Sequence, residues 1–230
     1  MLIGILETGH APSDLRDLAP DYPTLFRRLL APFGFRFETW TVVEMAFPPG
    51  PEAADGWLIT GSRHGVYEDH PFIPPLEALI RDIHAGGRPL VGICFGHQIV
   101  ARALGGHVEK FAGGWAVGPQ TYDFEGRPLR LNAWHQDQVI VPPPGARTIA
   151  ANPFCAHAAL RIGPATLTVQ AHPEFDDRFT AGLIEARGPG AVPADRLDAA
   201  RAALGSGNDA DAVAALIAAH FRSTAPARAA

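Results

Sequence analysis

The chain has 230 residues, of which 47% are hydrophobic and 19% are charged, and its formal net charge is −5. This balance is typical of one globular core, and the lack of clustered Lys and Arg argues against a nucleic-acid-binding surface. No apolar run approaches the roughly 20 residues of a membrane span, residues 1–6 are too short for a signal peptide, and two cysteines make no disulfide framework. We therefore expect a reduced, cytoplasmic protein that binds neither membranes nor nucleic acids.

The first hundred residues alternate short apolar runs with segments in which apolar residues recur at helical spacing. Strands are predicted at residues 2–6, 35–43, 56–60 and 89–93. Helices are predicted at residues 21–30, with Asp21 as the N-cap, at 72–84 and at 96–104. Short apolar strands that alternate with helices imply parallel βαβ units in a doubly wound sheet.

The pattern changes after Gly106. Several β-like runs separated by turn signals predict an antiparallel extension within residues 106–170 and a strand at 166–171. Helices are predicted at residues 177–187, 194–204 and 210–220. We expect an α/β fold of three layers, a doubly wound and mostly parallel sheet with an antiparallel extension and a C-terminal helical tail. The expected organisation is one domain at 1–187, a tail at 188–222 that packs on it, and a loose terminus at 223–230.

Cys94 lies where a predicted buried strand meets a predicted helix, in the sequence VGICFGHQ. Sites in parallel sheets form beyond the carboxyl ends of the strands. Gly92 and Gly96 flank the cysteine at i−2 and i+2, as in a nucleophile elbow, where a sharp turn strains the nucleophile and requires small neighbours. The helix N-terminus favours negative charge on the sulfur, and the N–H of Phe95 points to where an oxyanion would develop. A packed core thiol is the alternative for this motif alone.

His172 is the histidine best placed to serve such a nucleophile. It follows a predicted strand in TVQAHPEF, and Glu174 lies two residues on, where an extended chain puts both side chains on one side. The carboxylate would then orient the imidazole that takes and returns protons. An ordinary turn is the alternative for His-Pro-Glu alone. Gly61, after the predicted strand at 56–60, would supply a second oxyanion N–H, and a simple turn glycine is its alternative.

Together these residues resemble the class I glutamine amidotransferase family. The resemblance rests on GICFGHQ at residues 92–98, AHPEF at 171–175 and TGS at 60–62, and WHQD at 134–137 is similar to the family's Ser-His-x-Asp segment. ETGHAPSDL and GSRHGVYEDHPFI look like a stand-alone branch that includes glutaminase-like proteins and plant γ-glutamyl peptidases. The resemblance spans roughly residues 1–187 and implies the flavodoxin-like fold of that family.

The resemblance implies a chemical role for five residues. Cys94 would form a γ-glutamyl thioester, His172 would act as base and then as acid, and Glu174 would orient His172. The backbone N–H groups of Gly61 and Phe95 would hold the oxyanion.

A second group of residues would bind the substrate. By the same resemblance, Gln98 would contact the amino-acid end of glutamine, and so would the backbone around His135 and Gln136. The alternatives are that Gln98 braces the elbow helix and that His135 and Asp137 are a solvated strand end. Trp134 and Gln136 stand where many members carry serine and glycine, which leaves the preference for free glutamine open.

Three functions are compatible with these residues. The first is a glutamine amidotransferase or glutaminase that releases glutamate and ammonia, with the ammonia passing to a partner synthetase or an acceptor not encoded in this sequence. The second is a γ-glutamyl peptide hydrolase, in which Arg63, His64 and Tyr67 extend the mouth of the site for a larger leaving group. The third is a catalytically retired binding or regulatory protein. No cofactor or metal is expected, because the sequence has no Walker-type loop and no His-x-x-x-His or Cys-x-x-Cys spacing.

Overall fold

A computed structural model describes residues 1–223 of the chain, which form eleven strands and six α-helices. The strands are β1 Leu2–Leu6, β2 Arg36–Trp40, β3 Gly56–Ile59, β4 Leu90–Ile93, β5 His107–Lys110, β6 Ala116–Phe124, β7 Arg127–His135, β8 Asp137–Val141, β9 Ala146–Ala151, β10 Ala159–Ile162 and β11 Thr166–Val169. The helices are α1 Tyr22–Leu30, α2 Ile73–Ala85, α3 Phe95–Ala103, α4 Asp177–Arg187, α5 Ala194–Ala203 and α6 Ala210–Ser223.

Nine of these strands form one sheet in the order β2-β1-β3-β4-β11-β10-β9-β6-β7, and β5 pairs with β8 in a separate ribbon. The strands from β2 to β11 are parallel, whereas those from β11 to β7 pair antiparallel. The predicted doubly wound α/β fold with an antiparallel extension is therefore confirmed. Because β3, β4 and β11 are parallel neighbours, their carboxyl ends meet at one edge of the sheet, where α/β proteins bind ligands.

Helices cover both faces of the parallel strands. Phe26 of α1 and Ile217 of α6 pack in the core on one face, and Ile80 of α2 and Val100 of α3 pack in the core on the other. Every residue of β3, β4 and β11 is buried, which explains the continuous apolar runs of β3 and β4, whereas β11 alternates threonine with leucine and valine. The sheet edge that carries the site is thus held between two hydrophobic layers.

The C-terminal helices pack against the rest of the chain. Leu197 and Ala200 of α5 contact Val117 of β6, and Phe221 of α6 lies in the core of the α1 face. The division into a domain at 1–187 and a tail remains a prediction. Helix α6 includes Ser223, the first residue of the predicted loose terminus, and residues 224–230 lie outside the described residues. Within residues 1–223 no helix is both long and apolar enough to cross a membrane.

The strand predicted at residues 35–43 is shorter in the structure. Strand β2 ends at Trp40, and residues Val42–Glu44 form a 3₁₀ turn. Glu7, just beyond β1, draws the chain out of the ladder: its carboxylate accepts a hydrogen bond from Thr41 Oγ1 at 2.9 Å, and its carbonyl accepts one from Val43 N at 3.2 Å. The β-branched composition of this segment predicts a longer strand. Hydrogen bonds to Glu7 end the strand early.

Candidate active site

Cys94 lies in a sharp turn between β4 and α3. Its backbone has φ 53° and ψ −104°, in the positive-φ region that residues with a side chain rarely adopt. A Cβ on Gly92 would lie 2.4 Å from the carbonyl oxygen of Gly96, and a Cβ on Gly96 would lie 2.4 Å from that of Ile59. Both glycines are thus required by backbone contacts, and the strained turn persists because the packed elements around it over-determine it. The predicted elbow geometry is present.

Replacing Gly96 by alanine should destabilise the protein. The new methyl group would meet the backbone of β3, which cannot move without disturbing the sheet, and overpacking of this kind costs about 3 kcal/mol. Urea denaturation at equilibrium measures the loss. Gly86, at the end of α2 with φ −74°, is the matched control, because alanine fits that backbone conformation and should change the free energy of unfolding by less than about 1 kcal/mol. Equal stability of both variants would contradict the argument for the elbow.

His172 lies just beyond β11, the neighbour of β4 in the sheet. The N–H of Cys94 donates to Val169 O at 2.9 Å, which ties the cysteine to the end of that strand. The predicted strand at 166–171 ends at Val169, and the N–H of His172 instead donates to Asn132 O at 2.8 Å in an isolated bridge to β7. Two residues far apart in the sequence are thereby held at the same sheet edge.

Glu174 reaches His172 through a turn and not through the extended chain that we predicted. The N–H of Phe175 donates to His172 O at 3.3 Å and closes the turn, yet Glu174 Oε1 still lies 2.7 Å from Nδ1 of the imidazole. The Phe175 ring stacks on the imidazole, with centroids 3.9 Å apart and planes 4° from parallel. Because the carboxylate accepts the Nδ1 hydrogen, Nε2 is the ring nitrogen that is able to exchange protons.

The environment of His172 favours its protonated form. Burial alone lowers the pKa of His172, but the charge of Glu174 and the nearby sulfur of Cys94 outweigh burial and raise the pKa to about 10. The side chains of His172 and Glu174 are 5% and 1% exposed, so water screens this pair little. The contact with Glu174 therefore favours the protonated form of the imidazole that faces the cysteine.

Gly61 and Phe95, the two residues predicted to hold the oxyanion, both adjoin Cys94, the first across the sheet edge and the second along the chain. A Cβ on Gly61 would lie 3.0 Å from Cε1 of His172 and 3.7 Å from Cβ of Cys94, so only glycine leaves this space open. Thr8 Oγ1 clamps the segment, 2.9 Å from Thr60 O and 3.1 Å from Gly61 O. Within the described residues, neither the N–H of Gly61 nor that of Phe95 has an acceptor. Both donors are thus available to a ligand.

Gln98 lines the cavity, but its side-chain amide group donates both of its hydrogens to other residues of the protein. Its Nε2 donates to Asp137 O at 2.9 Å and to Gln170 Oε1 at 3.1 Å, so both amide hydrogens are used. This is the bracing geometry that we gave as the alternative to substrate binding. Its Oε1 remains an acceptor beside the cavity that Gln98 helps to line.

His135, Gln136 and Asp137 form one wall of the site. Nδ1 of His135 lies 3.2 Å from Asp137 O and therefore carries the hydrogen, while its buried Nε2 has no partner within the described residues. Burial and the nearby charge of His172 lower the pKa of His135 to about 3, so its ring is neutral and Nε2 is an acceptor. The side chain of Asp137 accepts a hydrogen bond from Tyr67 Oη at 3.1 Å. His135 is thus buried in the cavity wall, whereas Asp137 is half-buried beside it and contacts the exposed Tyr67.

A cavity of about 500 Å³ opens in front of Cys94. The residues predicted for the site that line it are Gly61, Arg63, His64, Tyr67, Cys94, Gln98, His135, Gln136, Asp137 and His172. Residues that sequence reasoning missed also line it: Tyr22, Lys110, Trp115 and Arg187. Lys110 is the chain's single lysine, but no pattern around it indicates a cavity. These four come from separate parts of the chain, and only the fold brings them together.

Comparisons with a family model and with curated relatives point to the same family, and a comparison with solved structures agrees with the fold of that family. A model described as glutamine amidotransferase class-I matches residues 39–182. Gamma-glutamyl peptidase 4 of Arabidopsis thaliana is 31% identical over 180 residues, which cover 71% of this chain and 72% of that protein. A glutamine-hydrolysing GMP synthase of Pyrobaculum aerophilum is 32% identical over 160 residues, which cover 66% of this chain and 30% of that protein. A crystal structure of a glutamine amidotransferase from Methylobacillus flagellatus has a TM-score of 0.74 at 20% identity, covers 100% of this chain and 96% of that chain, and supports the fold alone. The chain therefore belongs to the class I glutamine amidotransferase family.

Proposed function

We propose that this protein is a cysteine-dependent hydrolase of γ-glutamyl amide bonds. The observation that carries the proposal is the meeting of three strand ends: Gly61 after β3, Cys94 after β4 and the His172–Glu174 pair after β11. A strained nucleophile, a histidine oriented by a carboxylate, and free N–H donors beside the sulfur are the parts that acyl transfer requires.

The proposed reaction has two stages, and Cys94 attacks in the first. The thiolate sulfur of Cys94 forms a bond with the γ-carbonyl carbon, and the N–H groups of Gly61 and Phe95 hold the oxyanion. The C–N bond then breaks, and protonated His172 gives its Nε2 proton to the leaving nitrogen. In the second stage, neutral His172 takes a proton from water, the hydroxide adds to the thioester carbon, and the C–S bond breaks to release glutamate and the Cys94 thiolate.

The polar groups of the cavity match the amino-acid end of a γ-glutamyl group. Oε1 of Gln98 is an acceptor for the α-ammonium group. The N–H of Gln136 has no acceptor within the described residues and is a donor for the α-carboxylate. In this proposal the cavity wall binds both the α-ammonium group and the α-carboxylate of the amino acid.

The size and charge of the cavity favour a leaving group larger than ammonia. Free glutamine is the smallest substrate, and its ammonia would need an acceptor or a synthetase partner, as the relative named as a GMP synthase suggests. A cavity of about 500 Å³ has room for a second amino acid beyond the scissile bond, and its three cationic side chains outnumber its two carboxylates, so its charge suits an amino-acid carboxylate. The cationic residues are Arg63, Lys110 and Arg187, and the carboxylates are Glu68 and Asp137. We therefore propose γ-glutamyl peptides as a second candidate substrate class.

A substrate panel tests the proposal. The rate of glutamate release should be measured from glutamine and from γ-glutamyl dipeptides with varied second residues, in parallel with the dipeptides' α-linked isomers as controls. A higher kcat/KM for the dipeptides supports the peptidase, and a higher value for glutamine supports the glutaminase. No release from any γ-glutamyl compound, together with no adduct on Cys94 from a γ-glutamyl electrophile, would overturn both and leave a binding protein.

A further inference from the structure

Three side chains able to ligate a metal ion converge at the rim of the cavity. Their spacing along the chain matches neither the His-x-x-x-His nor the Cys-x-x-Cys motif. His64, Glu68 and His70 lie in the loop between β3 and α2, and one ligand atom from each lies within 4.8 Å of the other two. Glu68 Oε2 is 2.7 Å from His70 Nε2 and 3.6 Å from His64 Nδ1. Ligands that surround zinc tetrahedrally at about 2.1 Å are roughly 3.4 Å apart, so small side-chain adjustments are enough to admit an ion.

We propose that His64, Glu68 and His70 form a binding site for one divalent transition-metal ion of the zinc class. Two imidazoles and one carboxylate suit zinc, cobalt or nickel, whereas calcium and magnesium prefer a shell of oxygen atoms. Three protein ligands leave one coordination position for water or for a group on a bound molecule.

The loop backbone holds these ligands in place without the ion. The N–H of Glu68 donates to Gly65 O at 3.1 Å, the N–H of His70 donates to Glu68 O at 3.0 Å, and Ile73 N donates to His70 O at 3.1 Å. These successive turns bring the three side chains to one side of the loop. A preformed arrangement reduces the ordering that metal binding would otherwise have to impose.

Packing against the core fixes the imidazole rings. The rings of His64 and His70 have centroids 4.1 Å apart, and the His70 ring stacks on Phe72 at 5.8 Å with planes 22° from parallel. Phe72 is buried and in turn contacts Phe95, the residue after Cys94. The proposed ligands are therefore attached to the same core that supports the elbow.

A second His–Glu pair shows what distinguishes the cluster. His107 and Glu109 on β5 lie 3.3 Å apart on the surface, with the same two-residue spacing as Glu68 and His70. That pair does not belong to any three-residue cluster of this kind within residues 1–223. It is an ordinary exposed ion pair, and it supplies the matched control.

An ion in this site would stabilise one wall of the cavity. His64 and Glu68 line the cavity, and Tyr67 between them donates its hydroxyl hydrogen to Asp137 on β8. Holding both sides of Tyr67 would fix that contact. Metal binding itself does not depend on the proposed hydrolysis, so the two proposals fail separately.

Metal titration of the full chain without a histidine tag tests this inference. The Cys94→Ala background removes the thiol, which would otherwise compete for the ion. Calorimetry with Zn²⁺ should show one ion per chain, and Co²⁺ should give the visible absorption of a nitrogen and oxygen site. Glu68→Gln and His70→Ala should each raise the dissociation constant by more than about 100-fold, whereas His107→Ala should leave it unchanged. Glu68 is exposed, so its variant keeps the fold intact.

Three outcomes would overturn the site. The first is no zinc binding in the Cys94→Ala protein. The second is binding that survives both Glu68→Gln and His70→Ala. The third is binding that His107→Ala weakens as much as those variants do.

Discussion

Replacing Cys94 by alanine is expected to lower the kcat for glutamate release from γ-glutamyl compounds by about 10⁴-fold or more. The sulfur is the atom that forms the thioester in the proposed reaction, and neither His172 nor the N–H donors of Gly61 and Phe95 supply another nucleophile. Initial rates with purified protein measure the loss. The variant should retain substrate binding, because the groups that line the cavity are unchanged, so a direct binding assay should give a dissociation constant within a few-fold of the original.

Cys155 provides the control for this result. It is the second free cysteine, and burial raises its pKa to about 12, so it is a neutral thiol at neutral pH. Cys155→Ala should retain nearly full activity, and a γ-glutamyl electrophile should label the protein on Cys94 alone. Loss of activity in the Cys155 variant with normal activity in the Cys94 variant would refute the assignment of the nucleophile.

Replacing Glu174 by glutamine should lower kcat by about 10² to 10⁴-fold and also move the pH profile. The carboxylate orients His172 and is the largest of the groups that raise its pKa. In the first stage protonated His172 must donate to the leaving nitrogen, so the rate falls as pH rises through the pKa of His172. Removing the negative charge lowers that pKa, and the alkaline limb of kcat/KM should therefore move to lower pH.

A distant glutamate separates this effect from a general loss of charge. Glu185 lies on α4 in an exposed ion pair with Arg201, and Glu185→Gln should leave both kcat and the alkaline limb unchanged. The profile of each variant should be measured at constant ionic strength. An alkaline limb that stays in place in the Glu174 variant would mean that this carboxylate does not set the protonation of His172.

The sequence predicted the parts of this fold that depend on local patterns. The buried strands β3 and β4 carry continuous apolar runs, and the N-cap of α1 was predicted correctly, since Asp21 Oδ1 accepts a hydrogen bond from Thr24 N at 2.7 Å. The elbow around Cys94 follows from two glycines that the backbone contacts require. Such signals are local because steric exclusion and hydrogen bonding act within a few residues.

The remaining features depend on contacts that no local pattern encodes. The strand at 35–43 ends early because Glu7 binds the segment that follows it, and Gln98 braces the β8 end because Asp137 lies opposite it. The cavity charges of Lys110 and Arg187 come from β5 and α4. Their shared location depends on the order of the strands and on helix packing, which spacing along the sequence does not determine.

The adjacency of β4 and β11 has a consequence for how this scaffold tolerates change. The sulfur and the imidazole are held by neighbouring strands of the parallel sheet, and the chain between them includes the antiparallel strands β6, β7, β9 and β10. The hairpin turn that joins β6 to β7, at Glu125 and Gly126, is exposed. It lies at the opposite end of these two strands from His135. Evolution or protein design can therefore lengthen that hairpin, and so add a segment that binds another molecule, without moving Cys94 relative to His172.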